Sequence, residues 1–298
     1  MVKYALIAGA LSIAMLAPPV LAADGVTVPD FSGMWGRNAF DAERLPSGPA
    51  PLTNLKRLKE GTIDINALVG DYNNPILTPS AAEVVKKKGE YSLTGDAFPD
   101  PSNQCAPYAP PYIFTRQLGM QMLQEKDQVT ILYNQDDQVR RVRLNASHPE
   151  HVTPSAMGDS VGHYEGGDTL VIDTIGVKVG PLTMADGYGS PQSEALHLVE
   201  RYQLLDAAIV KEAATRHEKA NGRVGGPMGA MPVDASYDKG LQLKFTVEDA
   251  ANFTTPWSAQ VNYLRTTTPW LEQVCAENHF EYYHGKPTAV PTADKLDF

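Results

Sequence analysis

"DSVGHYEGGDTLVIDT", residues 159–174, decides how the rest of this chain reads. Two runs of β-forming residues flank Gly166-Gly167, which is a strong hairpin signal. A two-residue turn sets 165 against 168, 163 against 170 and 160 against 173. One face then carries Ser160, Gly162, Tyr164, Thr169, Val171 and Asp173. The other carries Asp159, Val161, His163, Glu165, Asp168, Leu170, Ile172 and Thr174. The first face sets small residues opposite a tyrosine and a carboxylate, which is how a ligand pocket in a barrel is lined. A slip of one residue exchanges the two faces, so the register around Gly166-Gly167 stays open.

Outward from this hairpin the same texture repeats. "GMQMLQ" (119–124), "QVTILYN" (128–134) and "QVRRVRL" (138–144) are short, rich in β-formers and divided by polar breaks. "EALHLVERYQL" (194–204) alternates, with Leu196, Leu198, Tyr202 and Leu204 on one face and His197, Val199, Arg201 and Gln203 on the other. "LQLKFTVED" (241–249) and "AQVNYLRTT" (259–267) keep that period. Seven or more strands at near-regular spacing predict an antiparallel barrel or sandwich. Residues 206–220 break the pattern as a helix, with Asp206 as its cap, and a glycine-rich loop follows. This excursion, 206–240, is expected to form a flap over one barrel end. Short helices are predicted after Thr53-Asn54 and from Pro79, the second stopping at Gly89.

The first residues bear on compartment. Lys3 precedes an almost wholly apolar run to Leu21, and polar sequence opens at Asp24. That is the pattern of a secretory signal peptide, 1–22, and no later stretch is apolar enough to span a bilayer. The protein is expected in the periplasm or outside the cell. The formal net charge of −10 argues against nucleic acid, whose phosphates are met by Lys and Arg. The expected partner is a small molecule, and the oligomeric state is left open. In an oxidising compartment Cys105 and Cys275 could form one disulfide. Residues 23–116 read as a Pro-rich and helical region packing on a barrel of 117–286, with 287–298 as a tail.

Candidate chemistry centres on histidines and carboxylates. His163 and Glu165 share a face, and His197 follows Glu194 by three residues. Adjacent strands could bring His163, His197, Glu194 and Asp173 together for acid–base catalysis. Tyr164, Ser160, Asp173 and Arg201 are the ligand-binding candidates, Arg201 for an anionic group. His148-Pro149-Glu150-His151 has a proline inside its i, i+3 spacing and reads as a loop, so no metal is expected. No serine lies in a Gly-x-Ser-x-Gly elbow and no glycine-rich phosphate loop joins a strand to a helix, so no cofactor is expected.

With these residues in view the chain resembles a large family of exported bacterial proteins of unassigned function. The likeness rests on "GHYEGGDTLVIDT", "SEALHLVERYQL", "FTVEDAANFTTPW", "VCAEN" and "ADKLDF". That family's hairpin reads Gly-x-Trp-Glu-Gly-Asp-Thr-Leu-Val-Val-Asp-Thr; here Tyr164 stands for the tryptophan and Gly167 is added. The resemblance implies export, one fold unit and a site near this hairpin, and it supplies no reaction. "FSGMW" (31–35) also resembles the Gly-x-Trp that opens calycin and lipocalin-like barrels. It implies a structural Trp35 plugging one barrel end beneath an arginine, for which Arg265 is the candidate. The expectation is thus a calycin-like antiparallel barrel with peripheral helices, holding a small, partly apolar organic molecule in its pocket. The alternative is a cofactor-independent hydrolase, lyase or isomerase at the same pocket.

Overall fold

The structure is a computed structural model that describes residues 28–37, 39–60, 68–94, 100–101, 104–115, 119–135, 138–221 and 232–267. Its centre is a closed barrel. The strands are β1 (Gly33–Gly36), β2 (Glu43–Arg44), β3 (Met120–Gln124), β4 (Gln128–Tyr133), β5 (Gln138–Leu144), β6 (Asp159–Glu165), β7 (Thr169–Ile175), β8 (His197–Asp206), β9 (Lys239–Glu248) and β10 (Trp257–Arg265). They pair in the order β1-β3-β4-β5-β6-β7-β8-β9-β10, and β1 returns to β10 to close the ring. The two-residue β2 adds on beside β10. The mainly β barrel read from the alternation is the one observed, and it is consistent with the calycin-like class that the Gly-x-Trp resemblance implies.

The barrel is not wholly antiparallel. β5 and β6 run parallel, with Val142 opposite Ser160 and Leu144 opposite Gly162. Alternating directions can close a ring only if the number of strands is even, so a nine-membered ring needs a parallel step. A parallel pair in turn needs a long return connection. Residues 145–158 supply it, tied at Asn145 by its N–H to the Gly162 carbonyl (2.7 Å) and at Ser155 by a bridge to Val177.

The helices are α1 (Leu55–Glu60), α2 (Pro79–Ser92) and α3 (Ala207–Asn221). Thr78 caps α2, its hydroxyl accepting from Ala81 N–H. Gly89 does not stop α2, which runs on to Ser92. It is buried, and a Cβ there would come 2.9 Å from Val69, so its role is close packing. Asp206 ends β8 and pairs with Lys239 at 2.7 Å instead of capping α3. α3 packs on β9 and β10, with Val210 filling the space above Gly240. The helical part of the expected flap, α3, is therefore laid along the wall. The N-terminal region does more than pack outside: β1 is a barrel strand, and the 3-10 turn Tyr112–Thr115 sets Phe114 against the inward-facing Phe245 at 5.4 Å.

The core is continuous from the lumen to the aromatic residues at its ends. Trp35 is fully buried, and its indole N–H donates to the Phe31 carbonyl at 2.9 Å. Arg265 lies over the Trp35 ring at 5.3 Å and over Tyr237 at 4.9 Å, a cation against two rings that meet edge to face at 5.9 Å. Gly33 makes this possible: its φ is +124°, and the Arg265 guanidinium occupies the space a Cβ would need. No helix among the described residues is long and apolar enough to cross a membrane. Residues 1–22, 222–231 and 287–298, and Cys275 with its expected bridge to Cys105, lie outside the described residues.

Candidate functional site

The register of the opening hairpin settles which side chains meet. Glu165 pairs with Thr169, His163 with Val171, Val161 with Asp173 and Ser160 with Thr174. The turn therefore holds three residues, Gly166-Gly167-Asp168, with φ of +59° and +76° at the glycines. Relative to a two-residue turn, β7 is moved by one position. Because strand faces alternate with period two, this carries every β7 side chain to the opposite face. Asp173 leaves the face of Tyr164 and Ser160 and joins that of His163 on the outer wall.

Inside, the room expected beside Ser160 is taken by Arg140. Its guanidinium crosses the lumen past β6 and β7 to Glu200 on β8, meeting both carboxylate oxygens. Its Nε donates to Ser160 Oγ at 2.9 Å, and its Nη2 to Thr174 Oγ1. Tyr202 donates to Glu200 at 2.8 Å. Arg140 is 1% exposed and Glu200 0%. Burial opposes the arginine's charge, but Glu200 beside it outweighs burial and raises its pKa. Burial pushes Tyr133, the remaining member, up to about 12. The cluster is a satisfied ion pair, the one form in which charge is tolerated at such depth. Tyr164 sits nearer the Trp35 end, and burial pushes its hydroxyl up to about 12, far from a proton donor for neutral pH.

Outside, a chain of acids and bases runs along the wall at one end of β5 to β9. Asp173 Oδ2 faces His197 Nε2 at 2.9 Å, and Asp173 Oδ1 faces His148 Nε2 at 2.9 Å. His148 Nδ1 meets Asp159 Oδ2 at 2.6 Å. Asp159 is gripped by both terminal nitrogens of Arg143, at 2.7 and 3.0 Å. At the far end His197 Nδ1 lies 3.6 Å from Glu248. The order is Arg143, Asp159, His148, Asp173, His197, Glu248, alternating in sign when the imidazoles are protonated. Each member comes from a different strand or from the crossover, so only the assembled sheet makes the row.

These neighbours tune the groups. Partial burial alone would raise Asp173, but hydrogen bonds from His197 and His148 outweigh it and hold its pKa below the usual 3.8. The hydrogen bond from Arg143, foremost, holds Asp159 below 3.8 as well. For His197, burial works against the charge, and Asp173 and then Glu248 overcome it, raising the pKa above 6.5. His197 and Asp173 keep 34% and 37% of their side-chain surface in contact with solvent, so a small molecule can reach both.

Of the residues singled out in the sequence, Asp173 and His197 meet. His163 shares their face but lies toward the hairpin turn, 3.4 Å from Glu165, which itself holds Arg201 through two 3.0 Å bonds. Arg201 is thus tied to a carboxylate. Glu194 is exposed in the turn ahead of β8. Ser160 belongs to the Arg140 cluster, and Trp35 and Arg265 stack at the barrel end. In the sequence His148 reads only as part of a loop, and Asp159 and Arg143 are not among the candidates; the loop holding His148 carries no periodicity, and only the crossover brings it to β7. Among the described residues no group of three or more His, Cys, Asp or Glu converges on a metal position. Comparison with family models, curated proteins and solved structures returns no match.

Proposed function

We propose that the protein is exported and is a cofactor-independent enzyme of the hydrolase, lyase or isomerase kind. It works by acid–base chemistry on a small, partly apolar organic molecule at the outer wall of the barrel. One observation carries this reading: a solvent-reachable imidazole, His197, oriented through Nε2 by the Asp173 carboxylate at 2.9 Å. Asp173 stays ionised and acts as the orienting group. His197 exchanges the proton through Nδ1, which lies 3.6 Å from Glu248, so a substrate atom takes the place of that carboxylate when it binds. This division of labour, one group moving the proton and one holding it in place, is the ordinary form of a histidine general base.

The test is depletion of compounds from a bacterial small-molecule extract, followed by mass spectrometry, with wild-type protein, His197→Gln and Asp173→Asn. The expected result is at least one compound consumed by wild type and spared about 100-fold or more by His197→Gln. Equal depletion by all three proteins overturns the assignment. The rate should rise with pH past 6.5, since His197 must lose its proton to act as a base and its pKa lies above that value.

A second reading, a protein that only holds its ligand, draws on one further feature. Between α3 and β2 lies a cleft of about 240 Å³ lined by Leu52, Thr53, Glu43, Arg44, Arg216 and His217 among others. The Thr53 hydroxyl there is buried and has no hydrogen-bond partner among the described residues. Calorimetry with compounds enriched on the purified protein separates the two: binding unchanged in His197→Gln but lost on filling the cleft by Ala42→Leu supports the holding role.

A further inference from the structure

The residue at the middle of the outer-wall row, His148, belongs to neither strand of the dyad. It is carried by the crossover 145–158, whose backbone is tied to the barrel at Asn145 and again at Ser155. Between these ties the crossover meets the wall through side chains of its own and of β5. Arg143 donates to the Ser147 carbonyl at 3.2 Å, Val152 fits the space at Gly176, and His148 sits between two aspartates.

The geometry at His148 fixes a proton count. A neutral imidazole has one N–H, and its other nitrogen is an acceptor. Here both ring nitrogens face carboxylate oxygens, at 2.6 and 2.9 Å. Two acceptors opposite one donor and one lone pair would leave a repulsive contact. The arrangement is satisfied only when the trio Asp159–His148–Asp173 holds one proton more than a neutral imidazole and two carboxylates. The charged groups around it are in keeping with that count. Arg143 from β5 holds Asp159, His197 from β8 holds the second oxygen of Asp173, and Glu248 from β9 stands behind His197. Glu150 and His151 follow on the crossover itself and are exposed.

We propose that His148 is a proton-operated latch for the crossover. With the shared proton in place, residues 146–154 are clamped to the outer wall over Asp173. When it is lost, the charge pairing on both sides of the ring fails together and the segment is released, uncovering Asp173 Oδ1. The latch stands apart from the catalytic reading, because it requires no chemistry at His197. It does mean that the row is covered while the shared proton is held and open once it is lost.

The experiment is hydroxyl-radical footprinting with mass-spectrometric readout on the full chain from pH 5 to pH 9, which reads how far side chains such as Val152, seated at Gly176, are shielded from solvent. In wild type, protection of Val152 and of the other side chains in peptides within 146–154 should be high at the acid end of the range and fall toward the alkaline end, as expected for release coupled to one proton. Peptides in β8 and β9 serve as the reference and should stay protected. His148→Gln, which can hydrogen-bond but cannot carry the charge, should show low and pH-independent protection in the same peptides. Constant protection of 146–154 across the range in wild type overturns the latch, and so does an unchanged pH profile in His148→Gln. Should the variant fail to fold, judged by the β8 and β9 peptides, the wild-type profile decides alone. A protein that passes this test and depletes no compound separates the latch from the proposed enzyme.

Discussion

A single buried cation organises the lumen. Arg140 is held by side chains from β4, β6, β7 and β8, and every one of those strands loses a partner if it is removed. Breaking such a pair from one side strands a charge, at about 3–5 kcal/mol, whereas replacing both members with well-packed apolar groups is often neutral or stabilising. Arg140→Met should therefore lower stability by that amount in urea titrations. Adding Glu200→Leu should restore most of it. Equal losses in the single and double variants would mean that packing rather than charge dominates. At the Trp35 end the decisive residue has no side chain. Gly33→Ala forces a strained φ and also evicts Arg265, so a loss of about 1–3 kcal/mol is expected, with a shift in tryptophan emission as the stack opens.

Elements carry the next level of control, and the β6–β7 hairpin is the clearest case. Deleting Gly167 converts its three-residue turn into a two-residue one and drives β7 toward a register with Asp173 inside and Thr174 outside. Leu170 and Ile172, both fully buried, would then face solvent. The expected outcome is no soluble folded protein, read by circular dichroism and yield. This hairpin also marks what could be read beforehand. Alternation in β8 correctly sorted Leu198 and Tyr202 from His197 and Arg201, because burial acts on every second residue. The same period made β6 against β7 ambiguous, since one glycine more or less inverts the answer and nothing local decides it. Arg140 with Glu200 was beyond reach for another reason: the two meet across a lumen, and no spacing along the chain encodes that distance. The outer row should in addition give stability a pH window. Asp159 and Asp173, held below 3.8, contribute above 3.8 and lose that contribution as pH falls through their lowered values. His197, held above 6.5, contributes below 6.5 and loses it as pH rises through its raised value. Urea midpoints should be highest between about pH 4 and 6.5 and decline on both sides. Asp173→Asn should flatten the alkaline decline.

At the scale of the whole molecule the ring closes between distant parts of the chain, Trp35 meeting Arg265 across the β1–β10 pairing. The β1–β3 pairing also joins distant parts of the chain, whereas the remaining ring pairings, β3–β4 through β9–β10, join strands consecutive in sequence. Until β10 is present, β1 and β9 each offer a row of unpaired backbone groups, the kind of edge that recruits other chains. A chain ending before Trp257 should therefore be recovered as aggregate, while the chain ending after Arg265 retains the barrel; sedimentation of the two products distinguishes them. The parallel joint has a consequence of its own. A ring made only of hairpins can gain or shed them two strands at a time and remain a ring. This one cannot be halved or doubled by such steps, because its odd count is reconciled by a single crossover. The segment that makes the count work is the same one that carries His148. Any lineage that shortened it to a tight turn would lose the geometry of the barrel and the proton-holding row in one event.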